Sequence, residues 1–426
     1  MSSQGPSTMT NALPAGTPIL PGTPVDNEST TKAFVIACID PRYINVIEDY
    51  LAAHLGKNGF TYDLFILAGA SLGGLNTSGS VCSLASTNWQ TTLFDHIQIA
   101  ISLHNVTQIL IFEHLSCGAY LGCSVADTMT QHIAKFKSLQ TPINARTWTN
   151  YAGTSSPGTT IFSNGIKGYI INDGSTSNAG SLYDIQTSEY LNEYYPVGTV
   201  SGARVLVVGC IDPRFSALLT AFLRGYKGVQ FTYDLTTFAG ASLGINQSYG
   251  GYNYSLLSQG TTWGPTFFDH LAVAKSLHNI TEVWVFDHLD CGAYKRFLYG
   301  DVTNPDNSIS DHTTQLVSLQ GRIASSSPSL AFKGFVMNTD GTIVKTVDDG
   351  RGVIINRYEF TPAQSIRDSS DWTSYKKQSA MYKSTNIASS SDPWFVHGEQ
   401  FRLDWLNGKN KCSGCAANAF SGTVFP

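Results

Sequence analysis

The sequence predicts an α/β protein built twice over: two modules, each a mostly parallel sheet flanked by helices, paired within one chain as a pseudo-dimer. Three observations predict it. Long stretches recur in order, FTYDLFILAGASLG (60–73) as FTYDLTTFAGASLG (231–244), and LFDHIQIAISLHNVTQILIFEHLSCGAY (93–120) as FFDHLAVAKSLHNITEVWVFDHLDCGAY (267–294). Short unbroken apolar runs, such as 33–37 and 205–208, have the signature of strands buried on both faces. Helix-period segments separate those runs, and such alternation implies a parallel sheet with right-handed crossovers.

Residues 1–31 are rich in Pro, Gly, Ser and Thr without periodicity, and read as a low-complexity N-terminal arm. Module one covers 32–185, a Pro/Gly-containing linker covers 186–202, and module two covers 203–350. In each module the first apolar run leads into Cys38-Ile-Asp40-Pro-Arg42 or Cys210-Ile-Asp212-Pro-Arg214. A strand candidate at 63–68 then precedes the turn-prone Gly-Ala-Ser-Leu-Gly. Leu93, Phe94, Ile97, Ala100 and Ile101 share one helical face, as do Phe267, Phe268, Leu271 and Ala274. Asn105 and Asn279 should stop these helices, because Asn tolerates the left-handed backbone at a helix end. A second buried strand, 109–112 or 283–286, runs into Glu113-His114-x-x-Cys117-Gly118 or Asp287-His288-x-x-Cys291-Gly292. Residues 351–426 form a C-terminal extension with scattered aromatics (Trp372, Tyr375, Phe395, Trp405), either an assembly arm or a wrap around its own modules.

Both cysteine motifs begin at carboxyl ends of strands, where open α/β sheets bind ligands. Neighbouring strands would bring Cys38 to His114 and Cys117, and Cys210 to His288 and Cys291. Two thiolates and an imidazole are good zinc ligands, and three protein ligands leave the fourth position open, the mark of a catalytic site. Asp40 either takes that position or pairs with Arg42 and leaves it to water. Water bound to zinc has its pKa lowered to about 7, and the freed carboxylate can orient the hydroxide.

These residues resemble the β-class carbonic anhydrases, whose Cys-x-Asp-x-Arg and His-x-x-Cys-Gly motifs both appear here, in order, in each copy. The resemblance covers both modules and neither tail. It implies Zn2+ on Cys38, His114 and Cys117 and again on Cys210, His288 and Cys291, one ion per module and two per chain. It makes Asp40–Arg42 and Asp212–Arg214 the catalytic and gating dyads. The implied activity is reversible hydration of CO2 to bicarbonate by zinc-bound hydroxide; a minority branch of the family hydrolyses carbon disulfide or carbonyl sulfide. Three features depart from the family pattern. Glu113 or Asp287 stands where Gly usually precedes the ligand histidine, adding bulk and charge beside the metal. Ile66-Leu67 and Thr237-Phe238 replace Arg-Asn before the Ala-Gly turn, and polar insertions occupy roughly 76–91 and 246–265.

A rival reading keeps the fold and drops the chemistry: a zinc-stabilised structural protein of shell or virion type that assembles through its tails into a homo-oligomer or larger array. A net charge of −5 over 426 residues argues against a nucleic-acid-gripping surface. No apolar run approaches a membrane span and the N-terminus lacks a signal-peptide pattern, leaving the cytoplasm or a virion shell as expected locations. Eight cysteines in so long a chain do not make a disulfide scaffold, and a reducing compartment is the default. His96, His270, His104 and His278 read as core or capping histidines, and Cys82 and Cys123 as incidental. The sequons at Asn105 and Asn279 are discounted, since both sit in tight turns. Asp173 and Asp340, each before Gly, are turn residues. Cys412 and Cys415 could be a disulfide, half of a metal clip or nothing.

Overall fold

Apolar runs of β-branched and aromatic residues form the centre of two six-stranded sheets in the computed structural model. The structure describes residues 18–20, 33–54, 62–77, 86–150, 153–173, 180–194, 203–212, 214–216, 219, 222–223, 233–246, 262–300, 303, 305–339 and 343–352. The strands are β1 (Pro18–Leu20), β2 (Ala33–Ala37), β3 (Tyr62–Ile66), β4 (Gln108–His114), β5 (Thr147–Thr149), β6 (Ser155–Pro157), β7 (Ile166–Ile171), β8 (Ser181–Asp184), β9 (Glu189–Tyr194), β10 (Val205–Gly209), β11 (Tyr233–Thr237), β12 (Glu282–His288), β13 (Ala331–Met337) and β14 (Ile343–Asp348).

The first sheet runs β3-β2-β4-β7-β8-β9 and the second β11-β10-β12-β13-β14-β1. In both, the first four strands are parallel and the outer two are added by antiparallel pairing. β2 and β10 are buried along their whole length, which is why they read as continuous apolar runs. From β2 the chain crosses to β3 on one side and then to β4 on the other. The carboxyl ends of β2 and β4 therefore flank the point where the winding reverses, and β10 and β12 repeat the arrangement.

The helices Trp89–His104 and Trp263–His278 end as expected, with Asn105 (φ 54°, ψ 41°) and Asn279 (φ 57°, ψ 40°) left-handed. The seam between the halves lies along these helices. Trp89 Nε1–H donates to Asp269 and Trp263 Nε1–H to Asp95, both at 2.9 Å. His96 Nδ1–H donates to the Thr92 carbonyl at 2.7 Å, which leaves Nε2 to accept the Ala239 amide at 2.9 Å. His270 does the same with Thr266 and the amide of Ala68. Burial holds His96 neutral, with its pKa pushed down to about 3, so Nε2 stays an acceptor. Across the same seam Thr237 Oγ1 donates to the Leu64 carbonyl at 2.6 Å and Leu64 N–H to that of Ile211 at 3.3 Å.

Three features differ from the sequence reading. Pro18–Leu20, within the expected N-terminal arm, pairs antiparallel with β14 and takes the outer place that β9 takes in the first sheet. β9 lies inside the expected 186–202 linker. Its hairpin with β8 turns through Ser188 at φ 61°, and Tyr183 meets Tyr190 edge-on at 5.3 Å. Polar alternation in EYLNEY hid that strand beside the Pro and Gly that follow. Cys123, read as incidental, is disulfide-bonded. Cys82, Cys412, Cys415, Asp340, residues 78–85 and 247–261 of the insertions, and residues 353–426 lie outside the described residues.

His96→Ala should destabilise the chain by about 1–3 kcal/mol, the cost of leaving the buried Ala239 amide without an acceptor. Chemical denaturation of the variant against the parent checks it, and an unchanged midpoint would remove His96 from the seam's energetics.

Candidate metal centre

Cys38 immediately follows β2, and His114 ends the adjacent β4, in register through Ala37 opposite Phe112. The turn after β4 returns Cys117 to the same point, with Ser116 left-handed at φ 58°. Cys38, His114 and Cys117 thus offer ligand atoms all within 4.8 Å of one another, as do Cys210, His288 and Cys291. The two sulfurs are 3.9 Å apart in the first cluster and 4.0 Å in the second. Each set is buried, and all four cysteines are free thiols.

The imidazoles are oriented for a ligand's role. His114 Nδ1–H donates to the Leu115 carbonyl at 2.9 Å, and His288 Nδ1–H to that of Leu289 at the same distance. Each ring lies against an aromatic, Tyr43 or Phe215, with centroids 4.0 Å apart. Nε2 of each histidine is buried without a hydrogen-bond partner, facing the two sulfurs. A buried, unsatisfied imidazole nitrogen beside two thiols is costly unless something fills the gap, and zinc fits this donor set.

The Ala-Gly turn closes the cluster from the other side. Gly69 N–H donates to Cys38 Sγ and Gly240 N–H to Cys210 Sγ, both at 3.2 Å. Both glycines have positive φ, 76° and 73°, and a Cβ on Gly240 would come within 2.9 Å of Ala293 Cβ. Burial opposes ionising Cys38, but a hydrogen bond from Cys117 and the charge of His114 outweigh it and hold its pKa well down. Cys117 is pushed well up by that same thiolate, with burial adding to it. Cys210 and Cys291 divide in the same sense.

Asp40 and Asp212 lie beside these clusters and are held by their arginines. Arg42 donates through Nε to Asp40 Oδ1 at 3.0 Å and through Nη2 to Oδ2 at 2.6 Å; Arg214 grips Asp212 at 3.0 and 2.7 Å. Each aspartate is thus paired with its arginine. Burial works against each carboxylate's charge, yet the arginine keeps both pKa values low. The copies then diverge. Arg214 also donates to Asp290 at 2.7 Å, and Lys295 pairs with Asp290 as well. Ser116 and Leu121 stand at the matching positions, and beyond Asp40 Arg42 donates to the Ser116 carbonyl at 2.8 Å, as Arg214 does to that of Asp290 at 2.9 Å. Its side chain is 18% exposed, against 8% for Arg214.

Each cluster also meets the opposite half. A Cβ on Gly118 would be 3.2 Å from Leu277, and one on Gly292 would be 3.0 Å from Leu103. His104 pairs with Asp63, whose pKa burial raises to about 6, helped by the charges of Asp212 and Cys210 across the seam. His278 and Asp234 stand likewise toward Asp40 and Cys38. Asp173, expected only as a turn residue, accepts from the Ser116 hydroxyl.

Two histidines that the sequence reading passed over lie directly behind the clusters. His132 bridges Glu113 and Asp127, and His312 bridges Asp287 and Asp306. The signal available was an Asp shortly before a His at a helix start in both copies. A spacing of five residues in one and six in the other obscured it.

No family model matches this chain. Among curated proteins it is similar to an uncharacterized protein of Rickettsia bellii, 28% identical over 147 residues, 34% of this chain and 82% of that one. An uncharacterized protein of Rickettsia conorii is 28% identical over 157 residues, 36% of this chain and 77% of the other. Among solved structures it is similar to a carbonic anhydrase from Glaciozyma antarctica, with a TM-score of 0.23 and 18% identity over 35% of this chain and 85% of that one. A carbonic anhydrase from Streptococcus mutans gives 0.21 and 19% over 34% and 82%. With scores this low, the functional reading rests on the geometry of the clusters.

Metal loading should release protons. In the metal-free cluster His288 has its pKa raised to about 9, because the Cys210 and Asp212 charges outweigh burial, and Cys291 keeps its thiol proton. A metal must displace both, so zinc affinity should rise with pH, more steeply below about 9, where both protons are bound, than above it, where the Cys291 thiol proton alone remains to be displaced. Calorimetric titration in buffers of different ionisation enthalpy measures the release, expected at about two protons per site.

Proposed function

We propose that the chain catalyses the zinc-dependent, reversible hydration of CO2 to bicarbonate, with two β-carbonic-anhydrase-like modules paired as an intrachain pseudo-dimer and one metal site in each. One observation carries the reading. A buried imidazole Nε2 that makes no hydrogen bond faces two buried cysteine sulfurs beside an arginine-held carboxylate, which in the second cluster comes within 3.6 Å of it, and the arrangement occurs twice.

Zinc bound by Cys38, His114 and Cys117, or by Cys210, His288 and Cys291, supplies a Lewis acid that lowers the pKa of a coordinated water to about 7. The chain's own residues do the rest. Asp40 and Asp212, kept ionised by Arg42 and Arg214, can only accept hydrogen bonds, so they orient a protonated nucleophile by its O–H. Each arginine engages both oxygens of its aspartate, so the cluster offers three protein ligands, and zinc held there would have a fourth position for solvent. Gly69 and Gly240 amides hold their thiolates in place. Leu277 and Leu103, reaching over from the opposite half, lay apolar surface against Gly118 and Gly292, suited to a small nonpolar substrate.

Stopped-flow CO2 hydration with a pH indicator, on protein shown to carry zinc, tests the proposal. Turnover well above the uncatalysed rate is expected, lost in the Asp40→Ala plus Asp212→Ala double variant. Cys38→Ser and Cys210→Ser taken singly should each remove about half of it. Zinc-loaded, folded protein without turnover would refute CO2 hydration and leave the metal a structural part or a site for a sulfur analogue of CO2.

A further inference from the structure

Behind each cluster, buried hydrogen bonds join the turn whose glycine amide holds one thiol to the loop that carries the other. In the first copy, Ser71 N–H donates to Glu113 Oε1 at 2.8 Å, just two residues after the Gly69 amide that holds Cys38. Glu113 Oε2 accepts from Tyr120 O–H at 3.1 Å and from His132 Nδ1–H at 2.9 Å. His132 Nε2–H donates to Asp127 Oδ1 at 2.8 Å, and Asp127 Oδ2 accepts the Cys117 amide at 3.2 Å. Glu113 and His132 are buried, and the Tyr120 ring lies 3.9 Å from that of His132.

The second copy builds the same connection from different lengths. Asp287 is one methylene shorter than Glu113. It accepts the Ser242 amide at 2.9 Å and the Ser242 hydroxyl at 2.5 Å, whereas the Ser71 hydroxyl is unused. His312 then spans Asp287 at 3.4 Å and Asp306 at 3.3 Å, and Asp306 accepts the Cys291 amide at 2.7 Å. Two side-chain solutions to one set of connections point to a requirement on the connection. With a carboxylate on each ring nitrogen, both nitrogens must donate.

We infer that His132 and His312 are positioning residues for the metal, each locking the Ala-Gly turn that holds one thiolate to the loop that carries the other. This rests on the metal reading of the clusters. The histidines touch neither metal nor substrate. They act through Glu113 and Asp127, or Asp287 and Asp306, on the separation of the two sulfurs. Outer hydrogen-bond partners of metal ligands commonly change affinity by about 10- to 100-fold when removed.

The test is zinc stoichiometry and affinity in the full chain, by competition with a chromophoric chelator, backed by the ligand-field spectrum of the cobalt-substituted protein. The parent should bind two ions. His132→Ala should weaken one of them by about 10- to 100-fold and leave the other at its parental affinity, with half of the cobalt spectrum shifted. His312→Ala should do the same to the other ion. Two ions bound at parental affinity in both variants would overturn the inference, as would a lowered Tm with metal affinity unchanged, the mark of a purely structural histidine. A parent that binds no ion would refute the metal reading and this inference with it. Should His132→Ala not fold, the near-isosteric Asp127→Asn decides: its NH2 must face either the His132 Nε2–H or the Cys117 N–H, so it must weaken one ion, and unchanged affinity again overturns the inference.

Discussion

Everything at the clusters depends on the Asp-His pair repeated at the centre of the two seam helices. Asp95 and Asp269 accept the opposite tryptophan indoles, while His96 and His270 accept the amides of Ala239 and Ala68. Those amides precede Gly240 and Gly69, whose own N–H groups hold the thiolates. One half therefore fixes the metal-side turn of the other. The histidine contacts are reciprocal and buried, and a neutral histidine accepting an amide carries no charge-burial cost. The turn it supports needs support: Ala70 and Ala241 sit at φ 44° and 38°, conformations that cost on the order of 1–3 kcal/mol and persist only when over-determined by their surroundings.

The electrostatics follow from that geometry. Placing two thiols, an imidazole and a carboxylate in a dry pocket forces a division of charge, since four ionised groups of mixed sign cannot all be buried freely. The arginine pins the carboxylate as an anion, the first cysteine of each cluster becomes the thiolate, and the second keeps its proton. Against the effect of burial, the thiolate and carboxylate charges raise the histidine's pKa in compensation. A divalent cation replaces both protons with one charge at the centre of the same groups, the arrangement that this packing holds ready.

Much of this was legible in the sequence because strand ends are. Once 33–37 and 109–112 were read as neighbouring buried strands, Cys38 and His114 had to meet, and the parallel register between β2 and β4 brings them together. Asn105 and Asn279 announced their helix ends by residue type alone. What stayed hidden was long-range and directional. A histidine buried at a helix seam and one buried behind a metal cluster have the same local pattern, so His96 could be read as core while His132 went unremarked. β1 and β9 were missed because an outer strand needs no continuous apolar run; its partner strand supplies the order.

The residues that looked most out of place explain the most. Glu113 and Asp287 stand next to the ligand histidines, and an acidic group there threatened to crowd the metal with an unpaired buried charge, which costs several kcal/mol. Both carboxylates instead turn away from the cluster, into hydrogen bonds with a serine amide, a tyrosine hydroxyl and a histidine. The histidine's protons oppose the carboxylate's charge, and its far nitrogen reaches a second acid that holds the amide of the last cysteine ligand. The acid and the histidine thus make sense only together. Either alone would leave a buried charge unmatched; as a pair they brace the cluster from behind, and the shorter Asp287 stays in place because Ser242 adds its hydroxyl.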